Sequence, residues 1–265
     1  MRGTTPPGRA SRVHPPRYAG RDKQDHIHNF CRLRSRSSRK SFDAPVQVTS
    51  GGGFQPAISP DGQWLLYRMH GVGICRMPTE GGQPDTLGII GYEFDWSPSG
   101  DSVLYTNNGL HIYEFASGSS YTLHNGAGWD DGPAWSPLGT EIVVQGEPVK
   151  LISFPDGQLS TLDCEDPDGT GCSGEFPTWS PDGQWIAFVV AGQYPVYNIW
   201  VTDARGPEFG LIQVTDDGEE DYSPTWSADS ATIYFSSDRN GRREIWKVPF
   251  NALLPTKPKS LGGLR

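Results

Sequence analysis

The sequence predicts an all-β fold, a β-propeller of four-stranded blades, on three observations. A seven-residue phrase built around Trp-Ser-Pro-Asp-Gly recurs five times at the spacing of a propeller blade. Each copy is followed by short runs of β-branched and aromatic residues, the composition of strands. And 33 Gly with 23 Pro in 265 residues interrupt every stretch long enough for a crossover helix. No apolar run approaches the roughly 18 residues of a membrane span, and no long segment repeats apolar residues at helical spacing. Helical bundles and spanning helices are thereby excluded, and an α/β layout is disfavoured.

Residues 1–44 precede the repeats and read differently. Through residue 45, eleven Lys and Arg stand against Asp22, Asp25 and Asp43, a net of +8, so −17 of the overall −9 belongs to the remaining 220 residues. Rich in Arg, Ser and Pro and poor in clustered apolar residues, the segment is expected to be a disordered basic tail. Its run Arg32, Arg34, Arg36, Arg39, Lys40 has the chemistry of a nucleic-acid or acidic-membrane contact, although a solvated tail is the simpler expectation. His26, His28 and Cys31 are zinc-donor types, but no fourth ligand in a structured partner accompanies them. Nothing before Pro45 supplies an apolar signal-peptide region of roughly 7 to 15 residues, so no export signal is expected.

The propeller is expected over residues 45–250. The five phrases are Pro56-Ala-Ile-Ser-Pro-Asp-Gly62, Phe94-Asp-Trp-Ser-Pro-Ser-Gly100, Pro133-Ala-Trp-Ser-Pro-Leu-Gly139, Pro177-Thr-Trp-Ser-Pro-Asp-Gly183 and Pro224-Thr-Trp-Ser-Ala-Asp-Ser230. Their serines are 38, 39, 44 and 47 residues apart, a four-stranded blade rather than a helical hairpin. Ser-Pro-Asp-Gly suits positions i to i+3 of a type I turn, with Pro presetting φ and Gly leaving the right-handed region. A second strand follows each turn, as in Trp64–Tyr67 and Trp185–Val189. A third follows, as in Asn198–Val201 and Glu244–Val248, and a fourth at Asp85–Leu87, Tyr121–Leu123, Ser160–Leu162 and Ile212–Thr215.

The fifth blade lacks a fourth strand downstream, because residues 251–265 are Pro- and Lys-rich and read as a flexible tail. Val46-Gln-Val-Thr49 nearly repeats Ile212-Gln-Val-Thr215, so the N-terminal strand is expected to pair with Glu244–Val248 and latch a five-bladed ring, covering an exposed edge. The alternative is an incomplete six-bladed propeller, one that has lost a blade or borrows one from a partner.

The phrase Pro-x-Trp-Ser-Pro-Asp-Gly, followed by an apolar strand and an Ile-Trp strand, resembles the TolB-like β-propeller repeat, a WD40-like arrangement of blades. Blade one departs from it with Ile58 in the Trp position, blades two and three lack the Asp, and blade five reads Ala-Asp-Ser. The resemblance implies the fold and, more distantly, a scaffold that binds partner proteins of the bacterial envelope at the propeller mouth, with a cell-envelope or periplasmic location. Family members of TolB type have six blades behind a separate N-terminal domain, and neither addition is visible in this sequence.

A search for chemistry returns little. The repeat also occurs in prolyl-oligopeptidase-type peptidases, but the Gly-x-Ser-x-Gly elbow is absent, as are a phosphate-cradling Gly-x-x-x-x-Gly-Lys loop and His-Glu-x-x-His. Some propellers of this repeat type are sugar-acid lyases that use a His-bound metal. Here His70, His111 and His124 fall on a strand end, a third strand and an outer loop, which are poor positions for convergence on the axis. The loop Asp163–Cys172 carries Asp166, Asp168 and Gly169 like part of a calcium loop, without its full alternating ligands. Within it, Cys164 and Cys172 are close enough for a small disulfide, while Cys75 reads as a buried hydrophobe. No catalytic residue, metal ligand or cofactor is therefore assigned.

The remaining signal is the start of each first strand. Four residues before the Trp position stand Phe54, Tyr92, Asp131, Glu175 and Tyr222, preceded by Gly53, Gly91, Asp130, Gly174 and Asp221, with Glu93 adjacent. Equivalent positions of successive blades converge around the axis, so these residues are expected to form an acidic, aromatic channel mouth. Such a mouth suits a protein or peptide partner with basic segments, and does not suit nucleic acid. The expected function is therefore a non-catalytic binding propeller, with a metal-assisted sugar-acid lyase as the alternative.

Overall fold

A computed structural model of the chain describes residues 47–49, 51–126, 132–162, 173–191, 197–205 and 210–250. Blade one comprises β1 (Phe54–Ile58), β2 (Trp64–Met69), β3 (Gly73–Pro78) and β4 (Asp85–Thr86). Blade two holds β5 (Phe94–Trp96), β6 (Ser102–Thr106), β7 (Leu110–Glu114) and β8 (Ser119–His124). Blade three holds β9 (Ala134–Trp135), β10 (Glu141–Val144), β11 (Lys150–Ser153) and β12 (Leu159–Thr161). Blade four holds β13 (Glu175–Trp179), β14 (Trp185–Ala191), β15 (Tyr197–Asp203) and β16 (Leu211–Gln213), and blade five β17 (Asp221–Trp226), β18 (Thr232–Ser237) and β19 (Glu244–Pro249). Within each blade every strand pairs antiparallel with its sequence neighbour, so the fold is a five-bladed all-β propeller. No helix among the described residues is long and apolar enough to cross a membrane.

The repeated phrase is a turn with a built-in cap. The glycine N–H reaches back to the serine carbonyl at 2.8–2.9 Å in four blades, and Ser230 N–H does the same to Ser227 in the fifth. The serine hydroxyl accepts the N–H that opens the next strand, as in Trp64 to Ser59 and Trp185 to Ser180, both 2.9 Å. The fourth position needs a left-handed backbone, with φ of 73° at Gly62 and 57° at Ser230. Blade two, which lacks the phrase Asp, recovers its role two positions late: Asp101 accepts the hydroxyls of Ser97, Ser99 and Ser102.

The core lies between blades. Trp96, Trp135, Trp179 and Trp226 are 5–9% exposed, each wedged against the preceding blade's apolar face. Trp96 meets Leu66 and Ile74 of blade one, and Trp226 meets Ala187, Val189 and Ile199 of blade four. An aromatic after the third strand completes three of these wedges: Trp96 with Phe115, Trp135 with Phe154 and Trp226 with Phe250, centroids 4.9–5.4 Å apart. Ile58, in the same phrase position of blade one, is 55% exposed instead.

The expected N-terminal latch is not among the described ladders. Blade five has three described strands, Val46 lies outside the described residues, and Gln47–Thr49 stand in no described ladder with β19. They lie instead along a groove of about 400 Å³ on blade one, beside Tyr67, Met69 and Met77. The local backbone matches that following blade four's fourth strand: Gly52 at φ 82° corresponds to Gly218 at 83°, and the Gln47 side-chain amide donates to the Thr49 carbonyl at 2.7 Å as that of Gln213 does to Thr215 at 2.9 Å.

Candidate functional site at the channel mouth

The first strands β1, β5, β9, β13 and β17 pack on one another in succession, so they line the axis and their starting ends share one mouth. Four of the five starts carry the same backbone device. Gln55, Gly132, Phe176 and Ser223, the residues before Pro56, Pro133, Pro177 and Pro224, take φ of 52–61°. In blades one, four and five the ladder register slips at this point, marking a β-bulge. A bulge re-aims the side chains around it, and a left-handed Phe or Gln persists only where surrounding pairing fixes it. The sequence reading selected the position before each bulge and missed the bulged residue itself, although Pro at the next position was its visible mark.

In blades one and two the mouth residues are drawn together by a cation. Phe54 stands opposite Arg68 in the ladder. The Arg68 guanidinium lies 4.9 Å from the Phe54 ring centroid and 5.2 Å from that of Tyr92, and donates to the Tyr92 carbonyl at 3.4 Å. Tyr92 is still 54% exposed. Beside it, the Gln55 amide donates to the Glu93 carboxylate at 3.1 Å, linking the two blades.

Blades four and five repeat the arrangement with other residues. Tyr222 packs on Tyr197 at 4.8 Å, its hydroxyl donates to Glu220 at 3.1 Å, and the Arg243 guanidinium lies 4.6 Å from its ring. Burial and the neighbouring Glu220 carboxylate hold the Tyr222 phenol well above its usual range, so it stays protonated. Asp221 points inward: its carboxylate is fully buried and accepts from Arg239 at 3.1 and 3.3 Å, and Arg239 also pairs with Asp217 at 3.0 Å. In blades one and four the same position is glycine, because a Cβ on Gly53 or Gly174 would stand 2.9 Å from the Tyr67 ring or 2.5 Å from that of Phe188.

Glu175 is exposed at the start of β13, and neighbouring Phe176 is 38% exposed. Asp130 and Asp131 lie outside the described residues, as do Cys164, Cys172, His26, His28 and Cys31. The described mouth is therefore aromatic with mixed charge. Arg68, Arg239 and Arg243, which the sequence reading did not select, take up ring faces and carboxylates that it had treated as open. Their ladder positions could have exposed them, since Arg68 is the register partner of Phe54.

The described histidines do not form a lyase-type metal site. Both ring nitrogens of His111 are engaged, at 3.0 Å from Asn107 O and 3.2 Å from Thr122 Oγ1. Among the described residues no three His, Cys, Asp or Glu side chains come together as a ligand set.

No protein-family model matches the chain. Among solved structures it is similar to a protein assigned as TolB from Agrobacterium tumefaciens, at 18% identity and a TM-score of 0.61, over 77% of this chain and 79% of that one. It is also similar to an oligogalacturonate lyase in complex with manganese, at 14% identity and a TM-score of 0.58, covering 75% of this chain and 62% of the lyase. A Vibrio parahaemolyticus oligogalacturonate lyase matches at 15% identity and a TM-score of 0.60, over 78% of this chain and 66% of that one. The chain thus spans less than two thirds of either lyase. At these identities the likeness is one of fold, that of the TolB-like β-propeller.

Proposed function

We propose that this propeller is a non-catalytic binding module that takes a protein or peptide segment bearing basic side chains at its channel mouth. The observation that carries the reading is the exposed set Tyr92, Glu175 and Phe176 at the first-strand ends. Rings there already accept guanidinium groups at 4.6–5.2 Å from within the chain, the geometry a partner's Arg or Lys would reuse. The charge of −17 over residues 46–265 would steer such a partner and repel anionic ones. Similarity to a TolB protein is consistent with this use of the fold, whereas the described histidines offer no lyase-type metal site.

The test is equilibrium binding of two labelled peptides of equal length, one with alternating Arg and Tyr and one with Glu replacing Arg, alongside oligogalacturonate with Mn²⁺. The expected result is saturable binding of the cationic peptide, weakened at least fivefold by Tyr92→Ala, and no cleavage of the sugar. Equal affinity for both peptides, or turnover of oligogalacturonate, would overturn the reading.

A further inference from the structure

The seam between blades two and three holds a cavity at a place that the first seam fills from within. In the first seam Arg76, on the third strand of blade one, lays its guanidinium 4.4 Å from the Trp64 ring centroid. The same group lies 4.3 Å from the ring of Phe115, the aromatic that follows the third strand of blade two. Asp85, its register partner on β4, accepts from it at 3.1 Å. A cation is thereby held between a ring of its own blade and a ring of the next.

The ladders carry this position into blade two. Arg76 pairs with Leu66 opposite Ala57, and Ile112 pairs with Leu104 opposite Asp95, so Ile112 stands where Arg76 does. Ser102, opposite Glu114, stands where Trp64 faces Pro78. Both are smaller than the residues they match, while the receiving ring is kept. Phe154 packs on Trp135 in blade three as Phe115 packs on Trp96 in blade two. The result is a cavity of about 440 Å³, lined by Ile112, Trp135, Phe154, Asp101, Glu114 and Leu138 together with the phrase turns of both blades. That volume is within the range of small-ligand sites. The fourth seam closes the same place with Trp185, which holds the Trp64 position and meets Phe250 at 5.1 Å.

The carboxylates follow the same substitution. The register place of Asp85 is taken in blade two by Tyr121, and the cavity draws its carboxylates from Glu114 and Asp101 instead. Glu114 is exposed, and Asp101 gathers the three serine hydroxyls on one oxygen, Oδ1. Leu138, which replaces the phrase Asp of blade three, lines the cavity and is 66% exposed.

We infer that this cavity is a second partner site, which takes an arginine side chain of a protein segment into the place that Arg76 occupies in the first seam. The guanidinium lies against Phe154 and Trp135, whose ring faces favour a planar cation, and pairs with Glu114 and Asp101. An apolar residue next to that arginine covers Leu138, which ties the site to a peptide chain rather than to a small cation. The phrase turns that line it stand at the far ends of the first strands from the mouth, so the two sites can be tested apart.

The full chain labelled with ¹⁵N at its tryptophans reports through the indole N–H signal of Trp135. It is titrated with acetyl-Leu-Arg-Leu amide, with the same peptide carrying neutral citrulline for Arg, and with the amino acid arginine alone. The Arg peptide is expected to shift the Trp135 signal saturably and to bind about fivefold or more tighter than either comparison, the worth of one charge-assisted or one small apolar contact. Glu114→Gln, an exposed change away from the mouth, should weaken it by a similar factor, and Tyr92→Ala should leave it unchanged. A Trp135 signal that does not move overturns the inference, as does equal affinity for the citrulline peptide or for arginine alone. So does a response lost in Tyr92→Ala and kept in Glu114→Gln.

Discussion

The carboxylate of Asp95 accepts the backbone N–H of Trp135 across the boundary between blades two and three, at 2.9 Å. Its other oxygen accepts the N–H of Trp96, so one side chain clamps two of the core tryptophans in register. Burial raises its pKa to about 6, and the two N–H donors oppose that only in part. A carboxyl whose folded pKa lies above its unfolded one favours folding when protonated. Its stabilising contribution is therefore lost as pH rises from about 4 to about 6. Two pH units correspond to on the order of 3 kcal/mol. The stability difference between the wild type and Asp95→Asn should shift against the wild type by that order between pH 4 and pH 7, in urea melts at each pH. A constant difference would contradict the assignment. Asp61 and Asp229, held low by serine hydroxyls, lose their contribution only below pH 4 and leave this window undisturbed.

The tryptophan wedges predict an asymmetry around the ring. Trp96→Ala or Trp226→Ala should cost about 3–5 kcal/mol, as for other buried aromatics. Ile58→Ala, at the same phrase position but exposed to the seam, should cost less than about 1 kcal/mol. Denaturant midpoints measure both, and an equal loss at all three positions would show that blade five covers Ile58.

Arg239 neutralises a buried charge. Arg239→Met leaves Asp221 fully buried without its cation and should destabilise by about 3–5 kcal/mol. Adding Asp221→Asn should recover part of that loss, since the uncompensated charge is then gone. If the double variant is no more stable than Arg239→Met, the ion pair is not what holds this corner.

The periodic part of the fold was legible because the phrase encodes its own turn, cap and wedge within seven residues. Even blade two, where Asp101 stands in two places late for the phrase Asp, kept its period. Closure was less legible. The match of Val46–Thr49 to Ile212–Thr215 identifies a strand type, yet Gln47–Thr49 stand in no described ladder, and a strand's partner is a property of pairing that no local pattern records. The bulged residues and the cations of the mouth were not read, because a left-handed bulge and a cross-strand Arg are properties of pairing between strands. The sequence likewise named Asp221 without indicating that its carboxylate turns inward to Arg239.

Salt and charge separate a steering mouth from a merely solvated one. For the cationic peptide, the association rate should fall as ionic strength rises, and Asp131→Asn with Glu175→Gln should both lower it and flatten that dependence. Tyr92→Ala should act mainly on dissociation. Association rates of wild type and of the Asp131→Asn/Glu175→Gln variant, measured between about 20 and 500 mM salt where screening grows severalfold, test the central claim most directly. The account predicts convergence of the two at high salt and a clear gap at low salt. Parallel curves, with the same salt slope in both proteins, would contradict it.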